Sequence, residues 1–288
     1  MAAVDTTLPL GPAGLGIELG TDAFVSDDGW LTRSLAVPPG LDGPDGILQG
    51  GFAAGVTVGI ARAADRFGAP LTAVDARLHA PTPLGRHLAA RVRPTAAVAR
   101  YDVELRDGAQ LLVSAEVELA GHDPSPRAYD LLELGTVRLP AASPQAAFPR
   151  CWVCGSAPEH PLAQRLHPRY VGDDAVSIPW VADEVLGDAR GTIDPVVVSA
   201  VLDCPTVWAS IRHVHALGHT GALLAAYHLR IFHDAPVMEP LRTVARLDGA
   251  DGRKLRARGG LVDEDGVLYA VSSAFHLSVA EVPTLTAA

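Results

Sequence analysis

The sequence predicts an α+β fold built as one helix-plus-sheet module, a connector and a second copy of that module. Three observations carry this expectation. At 288 residues the chain is about two domains' worth at roughly 100 to 200 residues each. A block of short alternating strands at residues 71 to 119 has a counterpart at 223 to 279. Each block follows one helix candidate, Gly50 to Phe67 in the first half and Pro195 to His213 in the second. With 48% hydrophobic and 19% charged residues, the composition supports packed cores rather than disorder. A net charge of -10 repels phosphate backbones, so neither nucleic acid nor an anionic membrane is expected as a partner.

Taken in order, the opening stretch MAAVDTTLPLGPAGLG lacks the cationic flank and long apolar run of a secretion signal. The apolar run Phe52 to Ala61 is too short to span a bilayer, and three cysteines make no disulfide framework, so a soluble cytoplasmic protein is expected. The first helix candidate opens on Gln49-Gly50-Gly51 and is otherwise small and apolar. The strands that follow are broken by prolines and by Asp107-Gly108, a hairpin signal. Gly121 to Arg150 carries Pro124, Pro126, Pro140, Pro144 and Pro149, which suits a surface linker. "CWVCG" at Cys151 to Gly155 opens the second half. In the repeat, Arg77-Leu78 answers to Arg230-Ile231, Arg106-Asp107-Gly108 to Glu264-Asp265-Gly266, and Ser114-Ala115-Glu116-Val117 to Ser272-Ser273-Ala274-Phe275.

The helix starts divide the polar groups between the halves. Asp194-Pro195 is a strong start signal, an N-cap acceptor before a proline at the first helical position, and Gln49 holds the matching place in the first half. Nine residues on from Gln49 lies Val58, whereas nine on from Asp194 lies Asp203. Nine residues is about 13.5 Å of rise and half a turn out of phase, so one helix cannot aim both features at one ligand. Two helices from two halves can.

In these residues and their order the chain resembles double hotdog proteins of the acyl-CoA thioesterase superfamily, over nearly its whole length from about Asp22 to Val279. Such members carry His-Gly-Gly at a helix start and an Asp or Glu about nine residues along, and "CWVCG" resembles the opening segment of many thioesterase-like hotdog domains. The resemblance implies two tandem hotdog domains, 17–121 and 151–280, joined by a Pro-rich linker at 122–150, each a long helix wrapped by a curved antiparallel sheet. It implies thioester hydrolysis at a composite site between the halves, with acyl-CoA or an acyl-carrier protein bringing the substrate, no cofactor, and a homodimer as the usual assembly. Gly50 and Gly51 then correspond to the glycines whose N–H groups polarise the thioester carbonyl, Asp203 to the carboxylate acting as general base or nucleophile, and Gln49 replaces the family histidine, positioning carbonyl or water. Asp203 lies within VVVSAVLDCPTVWA, an apolar setting that suits a general base unless a partner offsets its desolvation. The second composite site would pair Asp194-Pro195-Val196 with Val58 and lacks both the glycines and the carboxylate, so one working site per chain is expected.

Blander readings stand beside these. Pro205 threatens the helix at Asp203, which would then be a local N-cap, and Gly50, Gly51, Gly55 and Gly59 could form a small-residue stripe against the sheet. Cys151-x-x-Cys154 has no second CxxC or His pair at finger spacing, and His160, His167 or Cys204 could complete a site only through the fold, so no metal is expected. Gly218 should end the helix between His215 and His219. Thr206, Lys254, Arg256 and Arg258 are candidate substrate-binding residues, the last three alternating on one strand face where they could grip coenzyme A phosphates or form a solvated edge. No G-x-S-x-G elbow, P-loop or G-x-G-x-x-G is present. The alternative is a hotdog that binds an acyl or polyketide intermediate without hydrolysis, or that carries out dehydration, isomerisation or cyclisation. On one helix, Asp203 and His213 are the only Asp–His pair for such chemistry, about 80° and nearly three turns apart.

Overall fold

The computed structural model describes residues 7–26, 28–122, 131–139, 141–142 and 148–285. Much of the expected linker, including Pro124, Pro126, Pro140 and Pro144, lies outside the described residues. The first half contains β1 (Thr7–Pro9), β2 (Glu18–Val25), β3 (Leu31–Ala36), α1 (Gly50–Ala64), β4 (Ala73–Leu78), β5 (His87–Pro94), β6 (Arg100–Asp107) and β7 (Gln110–Glu118). A short α2 (Leu131–Thr136) follows, then β8 (Ala175–Val181), α3 (Pro195–Ala216), β9 (Gly221–Ile231), β10 (Pro240–Asp251), β11 (Lys254–Asp263) and β12 (Leu268–Val279).

All twelve strands form one antiparallel sheet in the order β1-β2-β3-β5-β6-β7-β4-β9-β12-β11-β10-β8. Outward from the β4–β9 junction the order β7, β6, β5, β3 on one side is matched by β12, β11, β10, β8 on the other, which is the repeat expressed as topology. The halves join because β4 and β9 pair edge to edge, from Ala73 opposite Arg230 to Arg77 opposite Ala226, which removes two exposed edges. The Asp107-Gly108 and Asp265-Gly266 turns both close hairpins, and both glycines take positive φ, 55° and 84°.

The two long helices begin where their caps say. Asp194 Oδ1 accepts from Val196 N at 2.8 Å ahead of Pro195, and Gln49 Oε1 accepts from Phe52 N at 2.8 Å. α1 ends at Ala64 rather than at Phe67 because Asp65 turns extended, its carboxylate taking the Tyr101 hydroxyl at 2.9 Å and the Ala69 N–H at 3.2 Å. α3 runs on through Pro205 to Ala216, so Asp203 sits inside a continuous helix and is not an N-cap. Gly218, at φ 72°, ends that helix and separates His215 from His219, whose Nδ1 meets Ser278 Oγ at 2.8 Å.

The small-residue stripe serves helix contact more than sheet contact. A Cβ on Gly55 would lie 2.9 Å from Val196 O and 3.0 Å from Val196 Cα, and one on Gly51 would lie 2.4 Å from Ser199 O. α1 and α3 therefore pack backbone to backbone, antiparallel, with the start of α1 beside the middle of α3. No helix among the described residues is long and apolar enough to cross a membrane.

Candidate active site

The antiparallel contact delivers the ninth residue of α3 to the first turn of α1. Asp203 Oδ2 accepts from Gly51 N at 3.0 Å and from Gln49 Nε2 at 2.7 Å. Its other oxygen, Oδ1, lies 3.1 Å from Nε2 of His276 on β12. Asp203 is 5% exposed and His276 fully buried. Desolvating a carboxylate so completely is costly unless donors replace the lost water, and three donors do so here. An ionised carboxylate has about four acceptor positions. Both positions on Oδ2 are filled, and one on Oδ1 remains.

Gln49 is fully committed to holding this arrangement. Besides capping Phe52 N and donating to Asp203, its amide reaches Ala200 O at 3.2 Å and Cys204 Sγ at 3.6 Å. Its side chain therefore ties α1 to α3, and its N–H groups are taken up, which leaves no donor to orient a carbonyl. Gln49→Ala is expected to cost about 2 to 4 kcal/mol, from one lost cap and two buried acceptors short of a donor, read as a lower urea midpoint with unchanged slope.

The glycines divide as well. The Gly51 N–H is spent on Asp203, while the Gly50 N–H, first in the helix, has no protein acceptor among the described residues, and Gly50 is one of the residues that line a cavity. That cavity holds about 300 Å³ and takes Gln49, Gly50, Asp203 and His276 into a lining otherwise made largely of apolar residues such as Leu48, Leu78, Phe148 and Leu224. Tyr227 closes the region behind Asp203, donating to Ser199 O at 3.0 Å. Burial first, and the Asp203 charge second, hold its phenol well above the ordinary range, so it stays neutral.

The proposed binding residues fall elsewhere. Thr206 is fully buried, its hydroxyl turned back to Asp203 O at 2.6 Å, and it does not line the cavity. Lys254 and Arg256 stand on the exposed face of β11, Arg256 over the Phe275 ring, and Arg258 is bound by both oxygens of Asp248 at 2.8 Å. The cation on the cavity wall is Arg253, its Nε donating to Ser278 O at 2.9 Å. At the opposite pairing, Asp194 is held by Arg62 at 3.0 Å and Val58 is wholly buried.

His276 was hidden from sequence reasoning, and His213 is not its substitute: the His213 ring bonds Gly252 O at 3.0 Å, away from Asp203. The signal for His276 is an inverted strand parity. Along β12 the polar Ser272, His276 and Ser278 are buried while Phe275, Leu277 and Val279 are only half-buried. Polar groups on the core side of a strand mark something that binds them. The fold also brings the three cysteines together: Cys151 Sγ lies 3.6 Å from both Cys154 Sγ and Cys204 Sγ. Hydrogen bonds from Cys154 and Cys204 draw the Cys151 thiol well below its usual range.

No protein-family model matches the chain, and no curated protein matches it either. Solved structures do. The pyran synthase domain from module nine of the sorangicin pathway superposes with a TM-score of 0.64 at 17% identity, over 91% of this chain and 98% of that one. A conserved protein of unknown function with a hot dog fold from Alicyclobacillus acidocaldarius gives 0.61 at 16% identity, over 91% and 97%. An acyl-CoA thioesterase II from Mycobacterium marinum gives 0.59 at 13% identity, over 89% and 94%. The chain has a hotdog fold.

Proposed function

We propose that the chain is a double hotdog enzyme, with halves at 17–121 and 151–280 joined through 122–150, that hydrolyses an acyl thioester at one composite site between them. The acyl group arrives on coenzyme A or on an acyl-carrier protein. One observation carries the reading: Asp203, from one half, reaches the first turn of the other half's helix at 3.0 Å, on the wall of a largely apolar cavity. The likeness to an acyl-CoA thioesterase II supports it.

The residues then act as follows. The thioester carbonyl accepts from the Gly50 N–H, where the helix dipole adds to the donor, and one such donor is worth about 3 to 4 kcal/mol as charge develops. Water takes the remaining acceptor position on Asp203 Oδ1. Asp203 removes one proton as the water oxygen adds to the carbonyl carbon, the C–S bond breaks, and that proton leaves on the thiol. Gln49, Gly51 and His276 hold Asp203 in place and are positioning residues. Lys254, Arg256 and the cavity-wall Arg253 are placed to meet carrier phosphates; Arg258, already held by Asp248, has a structural part.

A second reading is favoured by the Asp203–His276 contact itself. An imidazole 3.1 Å from a buried carboxylate is an acid–base pair, the arrangement that dehydration, isomerisation or cyclisation needs, and a pyran synthase domain shares the fold. His276→Gln separates the two. Glutamine can keep a donor on Asp203 Oδ1 but cannot cycle a proton at neutral pH. Under hydrolysis by Asp203 the rate should fall by about tenfold or less, a positioning loss of roughly one hydrogen bond. Under acid–base chemistry on the pair, turnover should fall by about 10² to 10⁴. Steady-state assays of thiol release, and of water addition to an enoyl thioester, report the two outcomes.

A further inference from the structure

Three buried thiols converge where hydrolysis does not use them. Cys151 and Cys154 come from the segment before β8, and Cys204 comes from α3, next in sequence to Asp203. Their sulfurs all lie within 4.8 Å of one another, with Cys151 at 3.6 Å from each of the others. A tetrahedral zinc centre with Zn–S about 2.3 Å has S···S edges of about 3.8 Å. Two edges of the triangle are already at that length, and the third closes with a small side-chain rotation.

The surroundings are built for it. The Cys151–Cys154 turn is closed by Gly155 N donating to Cys151 O at 2.8 Å, and a Cβ at Gly155 would lie 2.4 Å from Pro149 O, so the turn that points both thiols one way admits only glycine. Gln49 Nε2 stands 3.6 Å from Cys204 Sγ, a donor to a thiolate of the kind that orients metal ligands. Cys151, Cys154 and Cys204 all line the cavity, so open space adjoins the cluster.

We propose that Cys151, Cys154 and Cys204 bind one thiophilic divalent cation of the zinc class, with the fourth position open to the cavity for water or a free thiol. Binding exchanges three S–H protons for one M²⁺, leaving a centre of net charge −1 and releasing the protons to solvent. The cation links the 151–155 turn to α3. The site stands apart from the hydrolysis reading, because its ligands are spectroscopically visible whatever the enzyme turns over.

The test is a Co²⁺ titration of the full chain, reduced and metal-stripped, followed by Zn²⁺ competition. The expected result is a thiolate-to-cobalt charge-transfer band saturating at one Co²⁺ per chain, lost on adding Zn²⁺, together with a higher melting temperature. Cys151→Ser, which removes the central sulfur, and Cys154→Ser should each abolish the saturating band. Absence of the band in the wild-type chain overturns the proposal without any variant having to fold. A band that survives both substitutions, or cobalt bound with no thiolate band, overturns it as well.

Discussion

Asp203→Asn is expected to lower thioester hydrolysis by about 10² to 10⁴ while leaving the fold intact, the range over which a positioned general base contributes. The substitution is nearly isosteric, and the hydrogen-bond pattern shows how it is accommodated. The asparagine oxygen can take the place of Oδ2, accepting from Gly51 N and Gln49 Nε2. Its amide nitrogen then takes the place of Oδ1 and donates to His276 Nε2, provided the imidazole proton moves to Nδ1, which has no partner in the described structure. Gly51 N, Gln49 Nε2 and His276 Nε2 each keep a partner, at the cost of a buried Nδ1 proton with no acceptor among the described residues, about 1 to 3 kcal/mol, and the capacity to take a proton from water is lost. Free-thiol release from acyl-CoA substrates of graded chain length, with a thermal melt as the fold control, measures it. Hydrolysis at the wild-type rate in a folded variant would remove Asp203 from the mechanism. No hydrolysis by either protein would shift the reading to acid–base chemistry on the Asp203–His276 pair.

What was legible in the sequence was local and periodic. Asp194-Pro195 announced a helix start, Asp107-Gly108 and Asp265-Gly266 announced hairpins, and strand alternation placed β4 to β7 and β9 to β12. The half-turn phase difference ruled out a site on one helix, and the resemblance supplied the expectation that Asp203 stands at the Gly50–Gly51 amides of the other half, where its Oδ2 accepts from Gly51 N at 3.0 Å. The rest depended on contacts with no sequence period. His276 reaches Asp203 from 73 residues away, and nothing in a strand states which helix residue it will face. Cys204 joins the CxxC only because α3 passes behind the 151–155 turn. Alternation gave the common face of Lys254, Arg256 and Arg258 correctly, and that face is turned outward; it could not say that Arg253, one residue earlier, is the cation on the cavity wall. Gln49 was read as a group that positions carbonyl or water, whereas three contacts take up its amide N–H groups, a count that no motif contains.

Gly51→Ala decides whether the direct meeting of α1 and α3 is the premise of the site. Two effects oppose each other. Alanine is the better helix former by about 1 kcal/mol, so with open space around it the substitution would stabilise α1. Instead the new Cβ would sit 2.4 Å from Ser199 O, 2.8 Å from Ala200 Cα and 2.9 Å from Asp203 Cβ. Two of these are backbone atoms of α3, which cannot rotate aside, so the helices must separate. Separation stretches the Gly51 N–Asp203 bond of 3.0 Å and the Ser199 Oγ–Gly51 O bond of 2.7 Å together. Overpacking of about 1 to 3 kcal/mol and two weakened buried bonds of about 1 kcal/mol each outweigh the propensity gain, for a net loss of roughly 3 kcal/mol. That corresponds to a melting temperature lower by roughly 6 to 12 °C. Hydrolysis should fall in the folded fraction too, because Asp203 loses a donor and moves away from the Gly50 N–H. Gly249→Ala is the control: a Cβ there meets nothing within 4 Å, and its effect should stay within about 0.5 kcal/mol. If Gly51→Ala melts within about 2 °C of the wild type, the two helices do not touch backbone to backbone, and the carboxylate of one half does not stand at the helix start of the other.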